Sequence, residues 1–450
     1  MQILDDAESL THYGQDWTRF WTPSPCRVVF PETIDDIVDL VQQARHDGIA
    51  LVASGGRTGL SGGATAANGE VVVSMDRMRS IIELDASEPS IRVQAGLTVG
   101  ALQAAAEARG LYYPVDWAAA GSSQVGGSIA TNAGGIRVLR YGMTRDWVRG
   151  LRVVTGTGDI LDLNRGLVKN NTGLDLRHLM IGSEGTLGFI VEARLGLLPQ
   201  PPARSVLLLG FEGLDSLMPA LQALRGRLEL SAFEFFDRAS IAHVAAKTGQ
   251  TFPLDLESCR YFAVIEFDDP QGSAQDAALG VFEELMEAGH VHDGTLSQSG
   301  PQAAELWIWR EAISESIAHR TPYKNDLSVR VGRVPQFLAQ LDALVSDHYP
   351  ELEVVWFGHI GDGNLHMNVL CPEDLSIRDF HAVGKRLSPL VFKLIEAHGG
   401  SISAEHGVGL LKRDDLHWSR SPSEIALMRA IKLQFDPDGI LNPGKVFREE

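Results

Sequence analysis

Hydrophobic positions set the first clear unit of the chain. Val28, Val29 and Phe30 form a short apolar run that predicts a buried strand. Past Pro31, Thr33 with Asp36 three residues on is a helix-capping signature, and Ile37, Val38, Leu40, Val41 and Ala44 recur at helical spacing until Gly48 stops the pattern. Residues 49–53 predict a second strand, so the unit reads β-α-β and runs into the loop SGGRTGLSGG at residues 54–63. A Rossmann fingerprint or a P-loop would open from its glycines directly into a helix. Here the chain passes into EVVVS at 70–74, another strand pattern, and both readings fail.

Two more glycine-rich loops follow, at residues 120–135 (AGSSQVGGSIATNAGG) and 169–190 (KNNTGLDLRHLMIGSEGTLGFI). Glycines let backbone approach a ligand closely and turn N–H groups inward as anion-binding nests. One such loop reads as a tight turn; three in about 200 residues, somewhat above a usual domain of about 150, predict a long ligand gripped along its length. Prolines at 199–202 mark a boundary. Beyond it, strand patterns at 205–211, 261–267, 326–331 and 354–359 and helix patterns at 214–228 and 273–288 suit an antiparallel sheet with helices on one face. The expected division is 1–200, 201–410 and a turn-rich segment 411–450.

Composition narrows the chemistry. The chain has 450 residues, 44% hydrophobic and 22% charged, as an ordinary globular protein does. Its formal charge of −19 argues against nucleic acid or an anionic membrane as partner. An acidic substrate would then need locally placed cations. Cys26, Cys259 and Cys371 are too scattered for a disulfide framework, a thiolate zinc site or an iron–sulfur cluster. The opening MQILDDAESL lacks the basic head and apolar run of a signal peptide, and no stretch approaches the ~20 apolar residues of a membrane span. These features predict a reduced, cytoplasmic protein.

The densest chemical signal is VVWFGHIGDGNLHMNVL at 354–370. Asp362-Gly363 between apolar runs is a hairpin signal, with Asp362 read as the turn residue. A two- or four-residue loop centred there pairs Gly361 with Asn364, Ile360 with Leu365 and His359 with His366. Opposed residues share a face with Cβ atoms about 5 Å apart, so both imidazoles can converge on one metal ion, with Asn368 on the same face. Residues 401–409 (SISAEHGVG) offer Glu405 and His406 before flexible glycines, and two His with one Glu form a catalytic metal set with an open position. Zinc suits these donors; manganese and iron are alternatives. For an anion, Arg310 and Ser314 stand four apart on a predicted helix at 303–320, and Lys324 follows in a proline-containing loop. Trp307, Trp309 and Trp356 are read as core.

Together SGGRTGLSGG, GGSIATNAGG, IGSEGTLGFI, GHIGDGNLHMN, SAEHGVG and DPDGILNPGK resemble, in order and over nearly the full length, the FAD-linked oxidase family of the vanillyl-alcohol oxidase type. With YPVD, REAISES and TPYKNDLS the chain looks most like the bacterial members that oxidise D-2-hydroxyglutarate; glycolate and D-lactate dehydrogenases share most motifs. The resemblance implies an α+β fold: a PCMH-type FAD-binding domain, a cap domain with an antiparallel sheet and helices, and a C-terminal tail returning to the flavin. It implies FAD contacts at Gly55, Gly56, Arg57, Thr58, Gly59 and Ser61, at Gly121, Ser122, Gly126, Asn132 and Gly135, at Glu184, Gly188 and Ile190, and at Asn442. Ser128 stands where many relatives have Asn, which breaks that contact. Arg57 occupies the region where some relatives attach FAD covalently through a His, so the flavin is expected to be non-covalent. The same resemblance implies His359, His366 and Glu405 as metal ligands, His406 as the base, and Arg310, Ser314, Lys324 and Asn368 at the substrate. Electrons are expected to leave through an electron-transfer flavoprotein, with a quinone or oxygen as alternatives. A non-redox flavin- or metal-binding module is the competing class, and the oligomeric state, a homodimer included, stays open.

Overall fold

The computed structural model describes residues 1–448. By internal packing the chain divides into two units, one made of residues 1–135, 142–200 and 405–450, the other of 136–141 and 201–404. The chain passes between the units after residues 135, 141, 200 and 404. Residues 405–410 belong to the first unit instead of the second, as does the rest of the tail.

In the first unit, strand Arg27–Phe30 and helix Ile34–Asp47 form as their pattern predicts. Thr33 and Asp36 close a reciprocal capping box, and Gly48 ends the helix in the left-handed region at φ 65°. Strand Leu51–Ser54 follows, and Val71–Ser74 lies parallel to both it and Arg27–Phe30, with Gln2–Leu4 antiparallel at the edge. A five-stranded antiparallel sheet runs in the order 81–85, 90–94, 189–196, 148–154, 160–163. The tail is built into this unit: Leu51 N–H donates to Ile440 C=O and Asn442 N–H to Leu51 C=O, each at 2.7 Å.

The second unit holds a seven-stranded antiparallel sheet in the order 293–296, 204–211, 261–268, 230–237, 354–358, 364–369, 323–328. Strands Leu230–Asp237 and Asn364–Val369 are buried at every residue, so neither of their faces is left to solvent. Trp307, Trp309 and Trp356 are buried, as read from the sequence. The helix expected through 303–320 is interrupted: Gly300–Glu311 ends at Ala312, a single turn Ile313–Ser316 follows, and a 3-10 turn reaches Arg320. Lys324 lies on strand Tyr323–Ser328, not in a loop.

Candidate functional site

The first unit knits its glycine loops together. A Cβ at Gly56 would collide with the Ser122 carbonyl, and Thr58 Oγ1 lies 2.8 Å from Ser123 Oγ, so the first two loops are in backbone contact. Gly126 donates its N–H to Ala95 C=O (2.8 Å), Gly135 abuts the Asp116 backbone, and Gly188 abuts Val153. Ile190 pairs with Val153 in the five-stranded sheet. Around Gly121 and Gly127 a Cβ would meet no atom within 4 Å, so open space adjoins the second loop. Four of the expected flavin residues that are not glycine, Arg57, Asn132, Glu184 and Asn442, adopt left-handed backbone at φ 57°, 50°, 52° and 44°. Such conformations cost of order 1–3 kcal/mol each and persist where surrounding structure imposes them, typically at ligand sites.

The side chains explain part of that imposition. Asn132 Oδ1 accepts from Arg145 N–H at 2.9 Å, and Asn442 Nδ2 donates to Gly63 C=O (2.9 Å) and Glu184 C=O (2.6 Å). Among the described residues, buried Asn442 Oδ1 and Gln124 Oε1 have no hydrogen-bond partner. Orphaned acceptors beside open glycine loops and left-handed backbone fit a long, polar ligand such as FAD. Arg57 instead turns inward: its guanidinium donates to Gly55 C=O at 2.9 Å and lies 4.6 Å over the Tyr13 ring. The Ser128 hydroxyl donates to Val125 C=O at 2.8 Å within its own helix.

Also within this unit, Glu184 clasps the segment that carries Glu405 and His406. Val408 N–H (2.7 Å) and Gly409 N–H (2.8 Å) each donate to one of its carboxylate oxygens, and a Cβ at Gly407 would press on that carboxylate. Burial pushes the Glu184 carboxyl up to about 7, against the lowering effect of the two N–H groups and of Lys412. Ser61 C=O accepts from Leu410 (2.9 Å) and Leu411 (3.0 Å) N–H, and Gly409 sits tightly against the Ser61 backbone. Gly407 and Gly409 have φ of 79° and 49°, so the chain turns directly after His406. It brings His406 Nε2 to 3.7 Å from Glu405 Oε1.

In the second unit the hairpin register differs from the expected one by two residues. His366 pairs with Phe357, and Asn368 with Val355. The loop is longer than a two-residue turn because His359 C=O accepts from Asp362, Gly363 and Asn364 N–H while buried Ile360 is tucked inside. Gly363 closes it at φ 90°, with the Val329 carbonyl where a Cβ would be. A shift of two keeps every side chain on its face, and the rings of His359 and His366 are 5.3 Å apart at 84° to one another. Asp362 Oδ1 accepts from Asn364 N–H at 3.1 Å, the turn role read from the sequence, and burial pushes its carboxyl up to about 6.

Strand Tyr323–Ser328 extends the same face. Asp326 lies opposite His366, with Oδ1 3.7 Å from Nδ1, and Lys324 lies opposite Asn368. Asn368 is buried and its amide donates to His366 C=O at 3.3 Å. Lys324 keeps solvent-accessible surface, yet the surrounding protein strips enough hydration to lower its ammonium pKa. Ser314 is exposed on the single-turn helix that follows Ala312. Arg310 is buried, and its Nη2 lies 2.9 Å from Glu234 Oε2. Glu234 Oε1 is 2.8 Å from His359 Nδ1. Sequence reasoning passed over Glu234 and Asp326; the available signal was an acid inside an otherwise apolar strand, as in LSAFEFFD at 230–237. Imidazole and carboxylate donors gathered on one buried face suit a divalent metal.

Residues 25–164 match the FAD binding domain family, and residues 200–446 match the family of FAD linked oxidases, C-terminal domain. The chain is 52% identical over 446 residues to the D-2-hydroxyglutarate dehydrogenase of Stutzerimonas stutzeri, covering 99% of this chain and 96% of that one. It is 50% identical over 447 residues to the enzyme of the same name from Xanthomonas citri pv. viticola, covering 99% and 94%. It is 36% identical over 450 residues to the mitochondrial enzyme of Bos taurus, covering 99% and 81%. A solved structure of alkyldihydroxyacetonephosphate synthase superposes with a TM-score of 0.74 at 19% identity, covering 98% of this chain and 83% of that one, and so shares the fold.

Proposed function

From a chain that belongs to the FAD-linked oxidase family and is a flavin-dependent oxidoreductase, we propose a metal-assisted oxidation of D-2-hydroxyglutarate to its 2-oxo acid. The observation that carries the metal reading is the buried pair of imidazoles, His359 and His366, 5.3 Å apart at the hairpin, with carboxylates at their Nδ1 sides. Ala404 N–H donates to Asp326 at 3.0 Å, and the chain continues directly into Glu405, which supports that carboxylate as the third ligand with the two histidines. Zinc fits the donor set.

When bound, FAD supplies the two-electron acceptor, held by the glycine loops at 55–61, 121–135 and 184–190 and by Asn442. A metal held by His359, His366 and Glu405 supplies a Lewis acid for the substrate oxygen atoms. His406 takes the hydroxyl proton: it is an imidazole whose segment is fixed by Glu184 and Ser61 instead of left to swing. Arg310 keeps a buried Nε without a partner, a donor suited to a substrate carboxylate. Lys324 and Asn368, opposed across two strands, suit the second carboxylate, and Ser314 is the further candidate contact. These cations let a chain of charge −19 bind a dianion. The three cysteines are free and scattered, so electrons pass to an external acceptor, for which an electron-transfer flavoprotein is the proposed partner. Among the described residues no helix is long and apolar enough to cross a membrane; the cytoplasm is the proposed compartment.

The test is an anaerobic spectrum of the purified protein. D-2-hydroxyglutarate should bleach the flavin band, D-malate more weakly, and D-lactate and glycolate least; prior chelation should prevent bleaching while the flavin stays bound. Equal bleaching by glycolate would overturn the substrate assignment, and full activity after metal removal would overturn the metal.

A further inference from the structure

Glu234 sits in a strand buried from end to end and is itself 1% exposed. A carboxylate placed there costs several kcal/mol in lost hydration unless its surroundings compensate. Its two oxygens serve two different groups. Oε1 meets His359 Nδ1 at 2.8 Å, and Oε2 meets Arg310 Nη2 at 2.9 Å, a charge contact off the N–H axis and not an aligned hydrogen bond. Arg310 is also seated over the Phe357 ring, its guanidinium carbon 4.8 Å from the centroid.

The two contacts have separate consequences. Opposite a carboxylate oxygen, His359 Nδ1 must be the donor, which leaves the lone pair on Nε2, the form in which an imidazole binds a metal. At His366 the Nδ1 lies 3.7 Å from Asp326 Oδ1, a longer contact than that of His359 with Glu234. Meanwhile Glu234 and Phe357 fix the Arg310 plane and leave Nε as its buried, unpartnered donor. We infer that Glu234 is a positioning residue for this reaction, setting the tautomer of His359 and seating Arg310, so that metal retention and carboxylate recognition depend on one side chain. The inference rests on the proposed function in taking His359 as a metal ligand and Arg310 as a substrate cation.

The test compares Glu234→Gln with the parent as FAD-loaded full-length proteins stripped of metal and titrated with Co2+, read by its visible absorption. The amide can still accept from Nδ1 but lacks the charge, and loss of such a partner weakens metal binding by about 10–100-fold. The expected result is that loss together with a raised KM for D-2-hydroxyglutarate at an unchanged flavin-to-protein ratio. A Co2+ affinity within about threefold of the parent would overturn the inference, because it falls short of the outer-shell effect. A second measurement needs no Glu234 variant: 15N NMR of histidine-labelled parent protein without metal, with His359 assigned by comparison with His359→Asn, should show the proton on Nδ1. Protonation on Nε2 would equally overturn it. A parent that binds no Co2+ would sink the metal reading itself, while the tautomer would still decide the role of Glu234.

Discussion

Glu184→Gln tests the clasp on residues 405–409 through stability. With its carboxyl pushed up to about 7 by burial, against an ordinary value of 4.5, folded Glu184 holds a proton that the unfolded chain has already released. The folded state therefore binds more protons between those two values, and this contribution to stability is complete below 4.5 and lost as pH rises through 7. At about 1.4 kcal/mol per pH unit, the loss accumulates to about 3 kcal/mol. Glutamine does not titrate, but its amide offers one acceptor where the Val408 and Gly409 N–H groups need two. Leaving one N–H opposed costs about 1–3 kcal/mol at any pH. Denaturant unfolding of the FAD-loaded protein at pH 5 and pH 8 should thus find the variant weaker at pH 5 and the gap closed or reversed at pH 8. A difference between the two proteins that stays constant from pH 5 to 8 would refute the buried, proton-holding carboxyl.

Other substitutions probe the remaining parts. His406→Asn should slow anaerobic flavin reduction by about 10²–10⁴-fold with the flavin still bound, as expected for loss of a general base; a near-parental rate removes His406 from proton transfer. Lys324→Met should raise KM for D-2-hydroxyglutarate more than for D-lactate, since only the former carries a second carboxylate; equal changes would mean that Lys324 does not select the substrate. Gly363→Ala should lower the unfolding temperature and the metal content together, because a side chain at φ 90° costs about 1–2 kcal/mol and would also collide with the Val329 carbonyl. An unaltered melting curve would show that the loop between the two histidines relaxes freely.

The sequence was most legible where a local rule decides the outcome. Thr33, Asp36 and Gly48 delimit a helix through capping groups that lie within a turn of it, and the helix forms between them. The hairpin was legible in its faces but not in its register. Alternation survives a two-residue slip, whereas loop length was set by burial of Ile360 and by the Val329 carbonyl beside Gly363, neither of which Asp362-Gly363 reveals. The strand containing Lys324 depended on pairing with residues 364–369, a long-range contact. Glu234 was hidden for the same reason: its partners Arg310 and His359 lie 76 and 125 positions away in a chain read one window at a time (310 − 234 = 76). The glycine loops could be seen as ligand loops, but the left-handed backbone at Arg57, Asn132, Glu184 and Asn442 follows from neighbours that spacing does not name.

The tail's place in the first unit bears on how the protein is made. Asn442 bonds to Gly63 across 379 positions, and buried Lys445 lies 3.7 Å from buried Glu70. Strand Leu51–Ser54 meets residues 440–442, far along the chain (440 − 51 = 389). A ribosome must therefore deliver that whole intervening stretch before the outer edge of this strand is covered, and a nascent chain stalled short of Ile440 would present an open edge to chaperones and proteases.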